Sequence, residues 1–129
     1  MRFSVPGRWF MPLESADEGF LWDMWESATA IVQMVAGMTF QEYQRDRRTR
    51  RAVEREVEII GEAARSISDQ LKKAHPHILW PKIIAQRHKL AHAYAEIQDD
   101  IIWTVATDHI PQLIAQLEPL VPQPPGDEQ

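Results

Sequence analysis

The chain has no cysteine among its 129 residues. That excludes a disulfide scaffold, a thiolate metal site and a cysteine nucleophile, and it fits a reducing compartment. No run approaches the ~20 uninterrupted apolar residues that a membrane helix needs. Near the N-terminus Arg2 and Arg8 flank apolar residues broken by Ser4, Pro6 and Gly7, and Trp9 to Leu13 is too short for a signal-peptide core. A cytoplasmic protein with no membrane association is the expectation. There is no alternating β-branched run, no Asn-Gly hairpin turn and no internal repeat, so no strand is expected. A surplus of positive charge is also missing. The net charge of -5 argues against broad, non-specific nucleic-acid binding. Its distribution is uneven, however. Six arginines (Arg45, Arg47, Arg48, Arg50, Arg51 and Arg55) fall within eleven residues and can present a local basic face.

What is present is helical periodicity over a length suited to one domain. Residues 1–15, with Pro6, Gly7 and Pro12, show no period and read as an irregular arm, either docked by Trp9 and Phe10 onto the body or a partner or poorly ordered. A first helix is expected from about Ser15 or Asp17 to Gly37, with Phe20, Met24, Ala28, Ile31 and Val35 forming its core stripe. Thr39 and Glu42 have the spacing of a capping box for a short second helix. A long helix from about Asp46 to Lys73 follows, its stripe being Val53, Val57, Ile60, Ala64, Ile67 and Leu71. Gly61 sits inside it at a cost of about 1 kcal/mol relative to alanine, which a close approach by another helix would explain. His75-Pro76-His77 breaks the pattern, and both histidines read as exposed loop residues. Trp80-Pro81 starts another helix, with proline suited to a first turn. A last helix starts near Asp99 or Asp100, and Pro111 should kink or split it. Residues 119–129 hold four prolines and read as a disordered tail. The fold class is therefore all-α: an antiparallel bundle of four to five helices spanning residues 16–118. Trp22, Trp25 and Trp103 are assigned to core or dimer packing.

The densest polar cluster is Gln86-Arg87-His88-Lys89-Leu90-Ala91-His92-Ala93-Tyr94. Cleaving RNA without a metal needs a base for the 2'-hydroxyl proton, an acid for the leaving 5'-oxygen and a cation for the charge on the phosphorus centre. Histidine titrates near neutrality and suits the proton roles. Arginine presents a charged planar fork that fits a phosphate. Arg87 and His92 are five residues apart, about 140° round a regular helix. They share no narrow stripe, so the helix must end or distort between them, or a second subunit must complete the site. His88 and His92 have the i, i+4 spacing of zinc ligands. No Glu follows in a His-Glu-x-x-His pattern and no third ligand is evident, so no metal and no cofactor is assigned. The arginines from 45 to 55 either steer RNA phosphates, with Arg47, Arg48 and Arg51 as the candidates, or pair with Glu54, Glu56 and Glu58 along the helix, Arg50–Glu54 having four-residue spacing.

Arg87-His-Lys-Leu-Ala-His92-Ala-Tyr94 resembles the Arg-x4-His-x-Tyr motif of HepT-like proteins, a branch of the HEPN superfamily. Asp46-Arg-Arg-Thr-Arg-Arg-Ala-Val53, Glu58-Ile-Ile-Gly-Glu-Ala-Ala64, Pro76-x3-Trp80-Pro-Lys-Ile-Ile84 and Asp99-Asp-Ile-Ile-Trp-Thr-Val105 resemble the flanking helices, so the likeness covers roughly residues 17 to 118. At position 88 this chain has histidine where family members often have asparagine. The resemblance implies a homodimeric toxin of a type VII-like prokaryotic toxin–antitoxin pair: a metal-independent endoribonuclease acting on RNA or tRNA. Arg87 and His92 would be catalytic, and His88 and Lys89 supporting. A minimal nucleotidyltransferase antitoxin would silence the site by attaching AMP to Tyr94, a bulky anion two residues from His92. The alternative is a non-catalytic module that docks the nucleotidyltransferase.

Overall fold

The computed structural model describes the backbone of residues 12–92 and 98–122, and the side chains of residues 16–90 and 98–122. The described residues form helices and no strand: α1 (Pro12–Val35), α2 (Phe40–Arg45), α3 (Arg47–Ser66), α4 (Asp69–Ala74), α5 (Trp80–His92), α6 (Asp99–Thr104) and α7 (Ile110–Leu117), with a π-helical turn, Val105–His109, between the last two. Helix α3 is the centre of the bundle, packed against α1 on one side and α5 on the other, while α7 closes on α1.

The apolar stripes carry this packing. Met24, Ala28 and Ile31 of α1 are wholly buried, as are Val53 and Ala64 of α3, and Val57, Ile60 and Ile67 are nearly so. Ile102, Ile110, Leu113 and Leu117 close the core from the last helices. Side chains of this size each contribute roughly 1.5–3 kcal/mol when taken out of water, so the stripes hold the bundle together.

Local start and stop signals behave as the sequence predicts at several ends. Thr39 and Glu42 exchange side-chain-to-backbone bonds in a capping box, with Glu42 N donating to Thr39 Oγ1 at 3.1 Å. Asp46 caps α3 by accepting from Thr49 N at 3.0 Å, and these bonds hold its carboxyl below the ordinary range. Gly37 turns the chain out of α1 with φ +76°, which glycine adopts without strain.

Four details of the structure bear on these expectations. Helix α1 begins at Pro12, so Pro12 to Ser15, read as the end of the arm, are helical, with proline in the first turn where its missing N–H costs nothing. The helix expected from 46 to 73 is two helices. Ile67 leaves α3 in an extended conformation, and Ser68 caps α4 by accepting from Leu71 N at 3.2 Å. The break is fixed from outside: Asp17 of α1 accepts from Ser68 N at 2.9 Å and from Ser68 Oγ at 2.6 Å. His75, expected to be exposed, is half-buried, because its carbonyl accepts from the indole of the buried Trp80 at 3.1 Å. The last helix is divided as Pro111 predicts, with the proline in the first turn of α7. The chain widens into the π-helical turn just before it, where Ile110 N donates to Val105 O, and α7 continues from there.

Candidate functional site

Helix α5 carries the polar cluster. It continues unbroken through His92, so the helix does not end between Arg87 and His92, and the two positions stand about 140° apart round its axis. The side chain of His92 and all of Tyr94 lie outside the described residues.

Arg87 is placed by Gly61. A Cβ added to Gly61 would lie 2.1 Å from Arg87 Cβ, 2.9 Å from Arg87 Cγ and 3.2 Å from Ile83 O. Glycine is therefore what lets α5 cross α3 at this distance, with the Arg87 stem lying on the α3 backbone. Beyond that crossing, Arg87 Nη2 meets Glu62 Oε1 at 3.0 Å, while Arg65 Nη2 donates to Glu62 Oε2 at 3.3 Å. The Arg87 side chain keeps 31% of its surface in solvent, so the guanidinium is anchored yet reachable.

The neighbours of Arg87 fan out around α5. Gln86 and Lys89 look onto a groove of about 390 Å³ with an apolar floor that includes Val57, Ile60 and Leu113. His88 and Lys89 border a shallower cleft beside Trp80 and Ile84 on another side of the helix. Both residues are exposed.

The basic segment of α3 is at a distance from this crossing. Arg51 precedes Glu62 by eleven residues, about 16 Å along the helix axis, and Arg47 by about 22 Å. Arg47, Arg48 and Arg51 are exposed. Arg51 pairs with Glu54 at 3.1 Å, and Arg55 with Glu58 at 3.4 Å. The anticipated Arg50–Glu54 pair does not form. Arg50 instead donates to Gln44 O at 3.0 Å and comes within 4.0 Å of Asp99. Asp99 opens α6, so the chain leaving α5 returns beside the N-terminal end of α3.

Around that end lies a polar group whose burial sequence reasoning did not anticipate. Tyr43 is wholly buried and Glu54 is 8% exposed. Among the described residues Tyr43 Oη and Arg50 Nε have no hydrogen-bond partner. Burial pushes the Tyr43 phenol far up, and the Glu54 and Asp99 carboxylates push it further. Burial likewise raises the Glu54 carboxyl, with Arg51 opposing. Trp103 packs on Tyr43 with ring centroids 5.2 Å apart and on Phe40 at 6.1 Å, which is a core role. Glu62 and Arg65 were also not singled out; their signal was adjacency to a glycine inside a helix. Among the described residues no three His, Asp or Glu side chains converge as metal ligands would, and no helix is long and apolar enough to cross a membrane.

Comparison with known proteins agrees with the family resemblance. The family described as Ribonuclease HepT-like matches residues 24–120. A Methanocaldococcus jannaschii protein provisionally named an RNase is 31% identical over 110 residues, covering 85% of this chain and 91% of its own. A Thermococcus cleftensis protein named a probable ribonuclease HepT is 32% identical over 108 residues, covering 84% of this chain and 98% of its own. A third relative, from Caldanaerobacter subterraneus and also provisionally named an RNase, is 31% identical over 91 residues, 70% of this chain and 81% of its own. No solved structure matches the chain. A family match over three quarters of the sequence, with relatives 31% and 32% identical over most of it, places the chain in the HepT-like family of HEPN proteins.

Proposed function

We propose that this chain is a metal-independent endoribonuclease, the toxin of a type VII-like toxin–antitoxin pair, cytoplasmic and active as a homodimer on RNA, tRNA included. The observation that carries the reading is Arg87: a guanidinium anchored by Gly61 and Glu62, open to solvent, on the helix that also bears His92. The names of its relatives agree with it. An arginine held this way stabilises the charge that builds on the non-bridging oxygens of a phosphodiester under attack.

His92 moves the protons. A neutral imidazole takes the proton from the 2'-hydroxyl, the 2'-oxygen bonds to phosphorus, and the bond to the 5'-oxygen breaks as that oxygen is protonated. The products are a 2',3'-cyclic phosphate and a 5'-hydroxyl, with no water or metal in the balance. The angular separation of Arg87 and His92 on an unbroken helix supports a site shared between subunits. In a symmetric dimer, His92 and the partner subunit's His92 divide the roles of base and acid. His88 and Lys89, exposed on the same helix, support the site by contacting RNA. Arg47, Arg48 and Arg51, exposed at the N-terminal end of α3, guide its backbone.

The antitoxin is a minimal nucleotidyltransferase. The Tyr94 phenol oxygen attacks the α-phosphorus of ATP, a phosphodiester to AMP forms, and pyrophosphate leaves. The adduct then stands two residues from His92, where its charge repels RNA.

Expression in a bacterial host tests both halves. The parent chain should arrest growth, and Arg87→Ala or His92→Ala should each relieve the arrest. Co-expression with the neighbouring nucleotidyltransferase gene should add the mass of one AMP, and Tyr94→Phe should prevent the addition. Arrest that persists in both Ala variants, or a mass unchanged by the co-expressed gene, would overturn the corresponding half.

A further inference from the structure

Glu62 stands between two arginines. One carboxylate oxygen is taken by Arg87 at 3.0 Å and the other by Arg65 at 3.3 Å. The side chains of Arg65 and Glu62 keep 59% and 50% of their surface in solvent. An exposed pair on one helix contributes little to stability, so Arg65 is poorly explained as a structural staple for Glu62. Its chemistry points elsewhere. Two guanidiniums from different helices converge on the two oxygens of one anion, which is how two arginines share the non-bridging oxygens of a phosphodiester. Lys72 adds positive charge nearby, its Nζ donating to Arg65 O at 3.5 Å. The next carboxylate along the same face, Glu58, is engaged by Arg55 and does not compete for the pair.

We infer that Arg65 and Arg87 form a two-arginine phosphate subsite, and that Glu62 occupies it as a carboxylate stand-in which an RNA phosphate displaces. The ligand is a backbone phosphate of RNA, held without reference to base. Glu62 does two things there. It keeps the guanidiniums together when no RNA is bound, and it sets a threshold that weakly bound anions do not cross. This inference rests on the ribonuclease reading and extends its site from α5 onto α3.

The test measures RNA binding by the full chain carrying His92→Ala, which prevents cleavage, with a labelled single-stranded RNA as probe. In that background Arg65→Ala should weaken binding about 3- to 10-fold. It should also reduce the slope of log affinity against log salt by about 0.7, the value for one lost phosphate contact on a single strand. Arg65→Lys, which keeps the charge, should restore most of the slope. Glu62→Gln should tighten binding about 3-fold or more at low salt. Unchanged affinity and slope in Arg65→Ala, or weaker binding in Glu62→Gln, overturns the subsite while leaving the ribonuclease reading standing. Failure of the His92→Ala parent to bind RNA at all removes the reading and the subsite together. Circular dichroism of each variant confirms that these exposed substitutions leave the helices in place.

Discussion

Glu54 shows how far a single side chain can depart from its sequence surroundings. Among six arginines it reads as a solvated ion-pair partner, yet it is 8% exposed and sits beside the buried Tyr43 and near Asp99. Which side of α3 faces inward at this turn is decided by α2 and α6, which arrive from elsewhere in the chain, so no local pattern announces the burial. A test follows from the direction of its shift. Burial makes the folded chain hold the Glu54 proton more tightly than the unfolded chain does. Below the ordinary glutamate range both states are protonated and the burial penalty is absent. As pH rises from that range to the raised folded value, the unfolded chain releases its proton first, and the folded state loses stability across the window. Glu54→Gln removes this loss, and it leaves only Arg51 without its partner, a residue that is 56% exposed. Thermal melting should show the variant more stable than the parent at neutral pH and the two converging in acid. Parallel curves would refute the assignment.

At the scale of elements, the apolar stripes were legible because each helix buries one face and the period of 3.6 survives in the sequence. Val53, Val57, Ile60, Ala64 and Ile67 form one such face. The break after Ile67 was not legible. The same stripe continues to Leu71, and what stops the helix is Asp17, 51 residues earlier, which captures both the amide and hydroxyl of Ser68. Pro111 did announce an irregularity, but proline alone does not say whether the helix kinks, splits or widens. Of the candidate site, the α5 motif and the reason for Gly61 could be read directly, since glycine inside a long helix implies a close neighbour. That the neighbour's side chain is Arg87, and that Glu62 receives it, depends on how two helices cross. Gly61→Ala measures that crossing. The added methyl meets Arg87 Cβ and the Ile83 carbonyl, neither of which is the free end of a flexible chain. The overpacking should outweigh the gain in helix propensity of about 1 kcal/mol and leave the protein about 1–2 kcal/mol less stable in urea unfolding. RNA cleavage should fall with it as Arg87 is displaced. Unchanged stability and cleavage would mean that the helices do not meet there.

At the scale of the whole molecule, the proposed ribonuclease reading requires an acidic chain to attract a polyanion. The net charge of -5 coexists with one basic stretch on the N-terminal half of α3 and two further arginines, Arg65 and Arg87, at the crossing with α5. On the proposed reading, positive charge concentrated along α3 and at its crossing with α5 restricts RNA to one approach, and the acidic remainder discourages binding elsewhere. The central claim is that Arg87 and His92 cleave RNA without a metal. It is tested most directly by incubating the purified protein with bulk tRNA in excess EDTA and analysing the product ends, beside Arg87→Ala and His92→Ala. The account predicts fragments ending in 2',3'-cyclic phosphate and 5'-hydroxyl from the parent, and a loss of at least ~100-fold in rate for each variant. Cleavage that EDTA abolishes, or that either variant performs at the parent's rate, would contradict it.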